Sequence, residues 1–317
     1  MKDKLAIGVD VGGTNTKFGV VNKKGEIIVQ DRIRTDKRDS VAEFIEDLAE
    51  KLIPMIDAHG GVENFVGLGM GAPNANYHKG LIEYAANLKW KGVIPMAELL
   101  EKRFRLPVKM TNDANAAAVG EQKYGVAKGM ENFIVVTLGT GVGSGIIING
   151  EIANGSNGFA GEFGHIVVRH GGRLHKGTGL RGSVESYASA TGLRDTAIEF
   201  LQENSDKKSL LMDYTINELN SETVFICAEQ GDALSNEIFE FTGTILGEAL
   251  ATIVHICDPE AIILFGGLMK AGDLIMKPTQ KAMEDNLLQV FKGKVKLLYS
   301  NLKEADAAIL GASALVW

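Results

Sequence analysis

Cysteine is scarce: 317 residues contain two, Cys227 and Cys257, both in apolar surroundings. That excludes a disulfide framework and fits reduced core thiols in a cytoplasmic protein. Long apolar runs are missing too. None approaches the ~20 residues of a membrane span, and the stretch after Met1-Lys2-Asp3-Lys4, broken by Asp10 and a glycine turn, is too short and polar for a signal peptide. Positive charge is also in short supply. Lys and Arg number 33 against 40 Asp and Glu, giving a net charge of −7 and a pI near 5.5. This argues against a nucleic-acid binder. An anionic ligand would have to be met by backbone N–H groups and a few cations such as Lys17. Several catalytic signatures are absent: there is no Gly-x-x-x-x-Gly-Lys-Ser/Thr loop and no Gly-x-Ser-x-Gly elbow. Gly139-x-Gly141-x-Gly143 joins strand to strand, so it is not a dinucleotide fingerprint. Linkers, low-complexity tracts and coiled-coil heptads are missing as well.

Glycine is plentiful: 38 of 317 residues, about 12% against roughly 7% on average. Many fall in turn-like clusters, which points to tight ligand-facing loops. The most informative cluster occurs twice. Leu5-Ala6-Ile7-Gly8-Val9-Asp10-Val11 runs through Gly12-Gly13-Thr14-Asn15 into Thr16-Lys17-Phe18-Gly19-Val20-Val21. Phe133-Ile134-Val135-Val136-Thr137-Leu138 runs through Gly139-Thr140-Gly141 into Val142-Gly143-Ser144-Gly145-Ile146-Ile147-Ile148. Each reads as two β-branched strands around a Gly/Thr turn. Such a turn offers N–H groups and hydroxyls to an anion, so the pair is expected to hold a polyphosphate.

A chain of this length is expected to form two domains and to bury roughly three quarters of its unfolded surface. The repeat suggests an internal duplication, each half an α/β domain opened by a phosphate-facing hairpin. The boundaries read as 1–115 and 116–304, with a terminal helix, 305–317, returning to the first domain. Residues 5–33 read as a three-strand meander. Val41, Phe44, Ile45, Leu48 and Leu52 share a helical face, with Ser40 and Glu43 placed as a capping box. Strands are predicted at 65–70, 107–110 and 261–265, and helices at 96–105, from 112, at 183–204 and at 235–256. Residues 205–221 are polar and read as a surface excursion.

Asp10 ends a buried strand just before the first glycine turn, where a carboxylate can serve a magnesium ion through water. Asp113 stands at a strand-to-helix junction beside Asn112; with Asn112 able to cap the helix, Asp113 is left to face a cleft. Glu162 and His165, three apart and flanked by Gly161 and Gly164, can address one small polar ligand. Glu185 heads a helix.

Together these segments resemble the ROK family of bacterial sugar kinases and related repressors, across essentially the whole chain. Asp10-Val11-Gly12-Gly13-Thr14 and Leu138-Gly139-Thr140-Gly141-Val142-Gly143 resemble its two phosphate motifs. Ala86-Asn87-Leu88-Lys89-Trp90 is similar to its sugar-contacting segment, Asn112-Asp113-Ala114-Asn115-Ala116-Ala117 to its catalytic stretch, Glu162-Phe163-Gly164-His165 to its Glu-x-Gly-His, and Phe265-Gly266-Gly267 to its adenosine-side glycines. The resemblance implies an actin-like ATPase (ribonuclease H-like) fold, two α/β domains around a cleft, and ATP-dependent phosphorylation of a hexose, at O6 of glucose or N-acetylglucosamine. Asp113 would be the general base. Gly71, Asn87, Asn112, Glu162, His165 and Glu185 would hold the sugar. Gly12, Gly13, Thr14, Thr16, Lys17, Gly139, Thr140, Gly141, Gly143, Gly266 and Gly267 would hold ATP, and Asp10 would steer Mg²⁺. A homodimer is expected by the same analogy. Fructose, mannose or N-acetylmannosamine kinases and a catalytically silent sugar sensor are the alternatives. A repressor would need a basic N-terminal extension ahead of the first phosphate strand, which here starts at Leu5.

One segment departs from the family. The Cys-x-Cys-Gly-x-x-Gly-Cys-x-Glu run, whose thiols and neighbouring His hold a structural zinc, is here Lys176-Gly177-Thr178-Gly179-Leu180-Arg181-Gly182-Ser183-Val184-Glu185. Lys, Thr and Ser do not make a tetrahedral zinc site, so no structural zinc is expected, with His170 and His175 as the nearest substitute ligands. His165 is then expected to be oriented by a hydrogen bond from Thr178 or a loop carbonyl. Gly71-Ala72-Pro73-Asn74 also departs, replacing the commoner Pro-Gly ending.

Overall fold

The computed structural model describes residues 4–317, which divide into two compact units. The first takes the chain up to Glu131, together with Gly145–Gly161 and Ser300–Trp317; the second is Asn132–Ser144 with Glu162–Tyr299.

The first unit opens with the meander β1 (Leu5–Val11), β2 (Asn15–Asn22) and β3 (Ile27–Arg34), paired antiparallel. Helix α1 (Val41–Ala58) follows, then β4 (Phe65–Gly71). A small sheet of β5 (Ala75–Asn76), β6 (Leu81–Glu83) and β7 (Val93–Ile94) comes next, a feature too short to leave a periodic signal. Helix α2 (Met96–Phe104), β8 (Val108–Thr111) and α3 (Asp113–Tyr124) complete the run. The main sheet has the order β3-β2-β1-β4-β8, with β1, β4 and β8 parallel. Helix α1 buries Phe44, Ile45, Leu48 and Leu52 against it. Burying a large apolar side chain stabilises by ~1.5–3 kcal/mol, so this stripe outweighs the weak start of the helix. The expected capping box is not formed: Ser40 is extended (φ −106°, ψ 133°) and its side chain caps no N–H group. The helix also continues through Pro54 to Ala58, packing having overridden the local signal.

The chain continues as β9 (Phe133–Leu138), β10 (Val142–Ile148) and β11 (Glu151–Ile152), leaving the second unit within β10. Then come α4 (Glu185–Ala188), α5 (Ala190–Glu203), α6 (Ser221–Glu229), α7 (Ala233–Cys257), β12 (Ala261–Phe265), α8 (Asp273–Asp285), β13 (Lys296–Tyr299) and α9 (Glu304–Ala314). The second sheet has the order β11-β10-β9-β12-β13, with β9, β12 and β13 parallel. Both five-stranded sheets thus place a run of three sequential strands beside two later parallel ones. The helix expected at 183–204 is broken. Ser189 is extended (φ −95°, ψ 169°); its hydroxyl donates to the carbonyl of Glu185 and accepts from the Gly192 N–H, ending one helix and capping the next. In the polar 205–221 stretch, Leu211 and Leu219 are buried anchors.

Helix α9 returns to the first unit and explains glycines that are not in loops. A Cβ on Gly69 would lie 1.8 Å from the carbonyl oxygen of Ala312, and one on Gly8 would lie 2.1 Å from that of Ile309. These strand glycines let the helix rest directly on β1 and β4, so part of the glycine excess serves packing rather than ligand loops. Among the described residues no helix is long and apolar enough to cross a membrane.

Candidate active site

In the first unit, three parallel strands end level with one another. Register pairs Asp10 with Gly71 and Gly71 with Thr111, so the ends of β1, β4 and β8 line up. Ligands in open α/β sheets gather at this carboxyl end. Helix α3 starts there. Asn112 caps it, its Oδ1 accepting from the Asn115 N–H at 2.7 Å, while the exposed Asp113 accepts a local bond from the Ala114 N–H at 3.0 Å. Asn112 takes the cap, as expected from the order of the two residues. Gly71 is enclosed by this cluster: a Cβ there would stand 3.8 Å from both Asp10 Oδ1 and Asp113 Cα.

The first hairpin leads into the same cluster. Lys17 faces Asp10 across the β1–β2 register. Burial, first, and the Asp113 carboxylate, second, push the Asp10 carboxyl up to about 6, against the opposing pull of Lys17. Gly12 donates its N–H to the Asn15 carbonyl at 3.0 Å, closing the turn, and Thr14 is exposed. Gly13 lies under the Asn87 segment: its Cβ would be 2.8 Å from the Asn87 carbonyl oxygen. Asn87 is exposed while its neighbours Leu88 and Trp90 are buried, and the Trp90 ring lies 4.4 Å from that of Phe44, tilted by 49°, and donates to the Arg38 carbonyl. The apolar neighbours fix the loop and present the amide. Thr16 is corrected by the structure. Strand alternation turns it inward with Phe18, fully buried, its hydroxyl 2.7 Å from that of Thr35.

In the second unit, the other hairpin gathers a second set of groups around Val142. The Gly139 N–H donates to the Gly141 carbonyl at 3.0 Å, and Thr140 is exposed. Glu185 Oε2 accepts from the Val142 N–H at 2.7 Å, and a Cβ on Gly141 would lie 2.3 Å from that oxygen. Gly164 packs on the carbonyl of Val142, at 2.2 Å from an added Cβ, which seats the turn Phe163–His165 on the strand. The break at Ser189 lets the Ala190 N–H reach the Gly139 carbonyl at 2.9 Å, and Thr191 Oγ1 donates to the Thr140 carbonyl at 2.9 Å. Gly266, at φ 115°, lies against Leu138, 2.5 Å from its carbonyl oxygen to an added Cβ; Gly267 begins the turn that follows. Gly143 lies in β10.

Glu162 and His165 are brought together, Oε2 and Nε2 being 3.6 Å apart, and the other ring nitrogen, Nδ1, is buried without a hydrogen-bond partner. Thr178 does not orient His165. Its hydroxyl is 2.9 Å from Nδ1 of His175, whose Nε2 is 2.8 Å from Glu185 Oε1. His175 is the partner that sequence reasoning missed; its short spacing from Glu185 was the available signal. The donor set does not suit zinc: Thr178 serves His175, and the fully buried Ser183 hydroxyl is 2.8 Å from that of Ser186. Among the described residues no group of three or more His, Cys, Asp and Glu side chains is placed to hold a metal ion.

A model of the ROK family matches residues 6–317. The chain belongs to the ROK family. The glucokinase of Halalkalibacterium halodurans is 36% identical over 319 residues, spanning 100% of this chain and 96% of that protein. The crystal structure of a ROK family glucokinase from Streptomyces griseus in complex with glucose and AMPPNP is 31% identical, with a TM-score of 0.78 over 98% of each chain. The xylose repressor of Caldicellulosiruptor bescii is 26% identical over 98% of this chain and 77% of its own length. The fold is α/β, of the actin-like ATPase type that ROK sugar kinases share.

Proposed function

We propose that this chain transfers the γ-phosphoryl group of ATP to a hexose hydroxyl, O6 of glucose or N-acetylglucosamine, with Asp113 as general base. The enzyme class follows from glucokinase relatives matched along the full chain; the base, the sugar-holding residues and the sugar are our reading. The observation that carries it is Asp113 itself: an exposed carboxylate at the head of α3, relieved of capping by Asn112, where three parallel strands end. There it accepts the proton of the attacking hydroxyl. Asn87 and Asn112 of the first unit and Glu162, His165 and Glu185 of the second would hold the other hydroxyls, with Gly71 leaving room beside Asp113, and so fix the line of attack. The turns Gly12–Thr14 and Gly139–Gly143, with Lys17, receive the phosphates, and Gly266 and Gly267 the adenosine side.

The first unit fits a magnesium ion. The Asp113 carboxylate adds to the cost of a charge on Asp10, which a cation relieves. Asp10 would hold the ion through water; when bound, the ion neutralises charge on the phosphoryl oxygens. A cytoplasmic setting suits ATP and the free thiols of Cys227 and Cys257, and a homodimer is included on family grounds, testable by light scattering.

The experiment is ADP release, coupled to NADH oxidation, over glucose, N-acetylglucosamine, N-acetylmannosamine, mannose and fructose. Turnover on glucose or N-acetylglucosamine at least tenfold above the others is expected. Absence of hexose-dependent ADP release would overturn the proposal.

A further inference from the structure

The loop from Gly171 to Gly182 is a small hairpin closed by backbone hydrogen bonds. Leu174 and Arg181 form a bridge, the His175 N–H donates to the Leu180 carbonyl at 2.8 Å, and the Gly182 N–H donates to the Arg173 carbonyl at 2.8 Å. His175 lies on this hairpin, a quarter exposed, its Nε2 2.8 Å from Oε1 of the less exposed Glu185. The surroundings decide where its proton resides. The Thr178 backbone N–H points at Nδ1 from 3.2 Å, and a backbone N–H can only donate. Nδ1 is thus an acceptor, taking the Thr178 hydroxyl proton as well at 2.9 Å. With Nδ1 accepting, the ring hydrogen falls on Nε2, facing the carboxylate. Glu185 spends its second oxygen on the Val142 N–H at 2.7 Å. A single carboxylate therefore ties the exposed hairpin to the turn of the β9–β10 hairpin.

We propose that His175 is the positioning residue of Glu185: it fixes the carboxylate in the orientation that meets the sugar, and through Val142 it steadies the Gly139–Val142 turn. The ring touches neither ligand; it acts through the carboxylate. This deepens the kinase reading and rests on it for the sugar.

The test compares wild type, His175→Ala and His175→Gln in steady state with glucose and MgATP. Gln can place an amide N–H where Nε2 stands. His175→Ala is expected to raise KM for glucose about tenfold and KM for ATP severalfold, with kcat within threefold; His175→Gln is expected to recover both to within threefold of wild type. A merely structural role predicts a lower melting temperature with unchanged KM values, and that result overturns the proposal. So does His175→Gln as impaired as His175→Ala, which would make the ring itself a ligand contact. The proton placement is read separately, by long-range ¹H–¹⁵N correlation on wild type at pH 7. The neutral Nε2–H pattern for His175 supports the pairing, whether or not any variant folds, and an Nδ1–H or doubly protonated pattern overturns it. A wild-type protein that shows this pattern but phosphorylates no hexose refutes the function and leaves the His–Glu pair standing.

Discussion

At the scale of single residues, Asp113 and Asp10 are neighbours with opposite consequences. Asp113→Asn keeps the shape and removes the proposed proton acceptor, so sugar and nucleotide binding should persist while kcat falls by ~10²–10⁴-fold. Rapid-quench and titration on the same preparation check this, and a variant within threefold of wild-type kcat rules Asp113 out as base. Asp10 bears on stability. Its carboxyl is raised from 3.8 to about 6, so the folded protein holds this proton more tightly than the unfolded chain does. The resulting stabilisation is complete below pH ~4 and is lost as pH rises through about 6. At pH 7.5, without metal, the charged group costs at most about 3 kcal/mol. Asp10→Asn should melt higher than wild type at pH 7.5, with the gap closing near pH 4; an equal or lower melting temperature at pH 7.5 contradicts the burial argument.

At the scale of elements, the second hairpin separates two substitutions that its sequence made equivalent. Thr140 is exposed, and Thr140→Val should weaken nucleotide binding and spare sugar. Gly141 lies against Glu185, 2.3 Å from an added Cβ to Oε2. Gly141→Ala must push that carboxylate aside and should weaken both ligands, where the motif alone pointed to nucleotide more than sugar. Separate calorimetric titrations with AMPPNP and glucose decide, and selective loss of AMPPNP in Gly141→Ala would show that Glu185 does not serve the sugar. The contact of α9 with β1 and β4 is tested by Gly69→Ala. Its Cβ would be 1.8 Å from the Ala312 carbonyl oxygen, and such overpacking costs ~1–3 kcal/mol. Urea unfolding should show the loss; an unchanged midpoint means the helix shifts at no cost.

For the whole molecule, the departure at Lys176, Thr178 and Ser183 bears on composition and durability. Thr178 and Ser183 already have hydrogen-bond partners, and hydrogen bonds close the loop. The purified protein should carry no stoichiometric zinc by elemental analysis, and activity should survive a strong chelator once magnesium is restored. About one zinc per chain, with activity lost on its removal, would bring His170 and His175 forward as ligands.

How much of this was legible in the sequence depends on whether the signal was local. The two glycine hairpins, the α1 stripe and the Asn112–Asp113 junction were readable because strand alternation, helical spacing and capping act within a few residues. The strands β5 to β7 and β13 were not, being two to four residues long; nor were α6, although Asn220 and Thr223 form a capping box at its start, and α8, which starts without a side-chain cap. Composition, the family motifs and the missing thiols were determined by the sequence itself. Only the tertiary structure decided that Thr16 faces the core, that Gly8 and Gly69 make room for a helix some 240 to 300 residues away in the chain, and that Thr178 serves His175 instead of His165. Each of these turns on which backbone passes within a few ångströms, a distance set by packing of segments remote in sequence, and no local propensity encodes it.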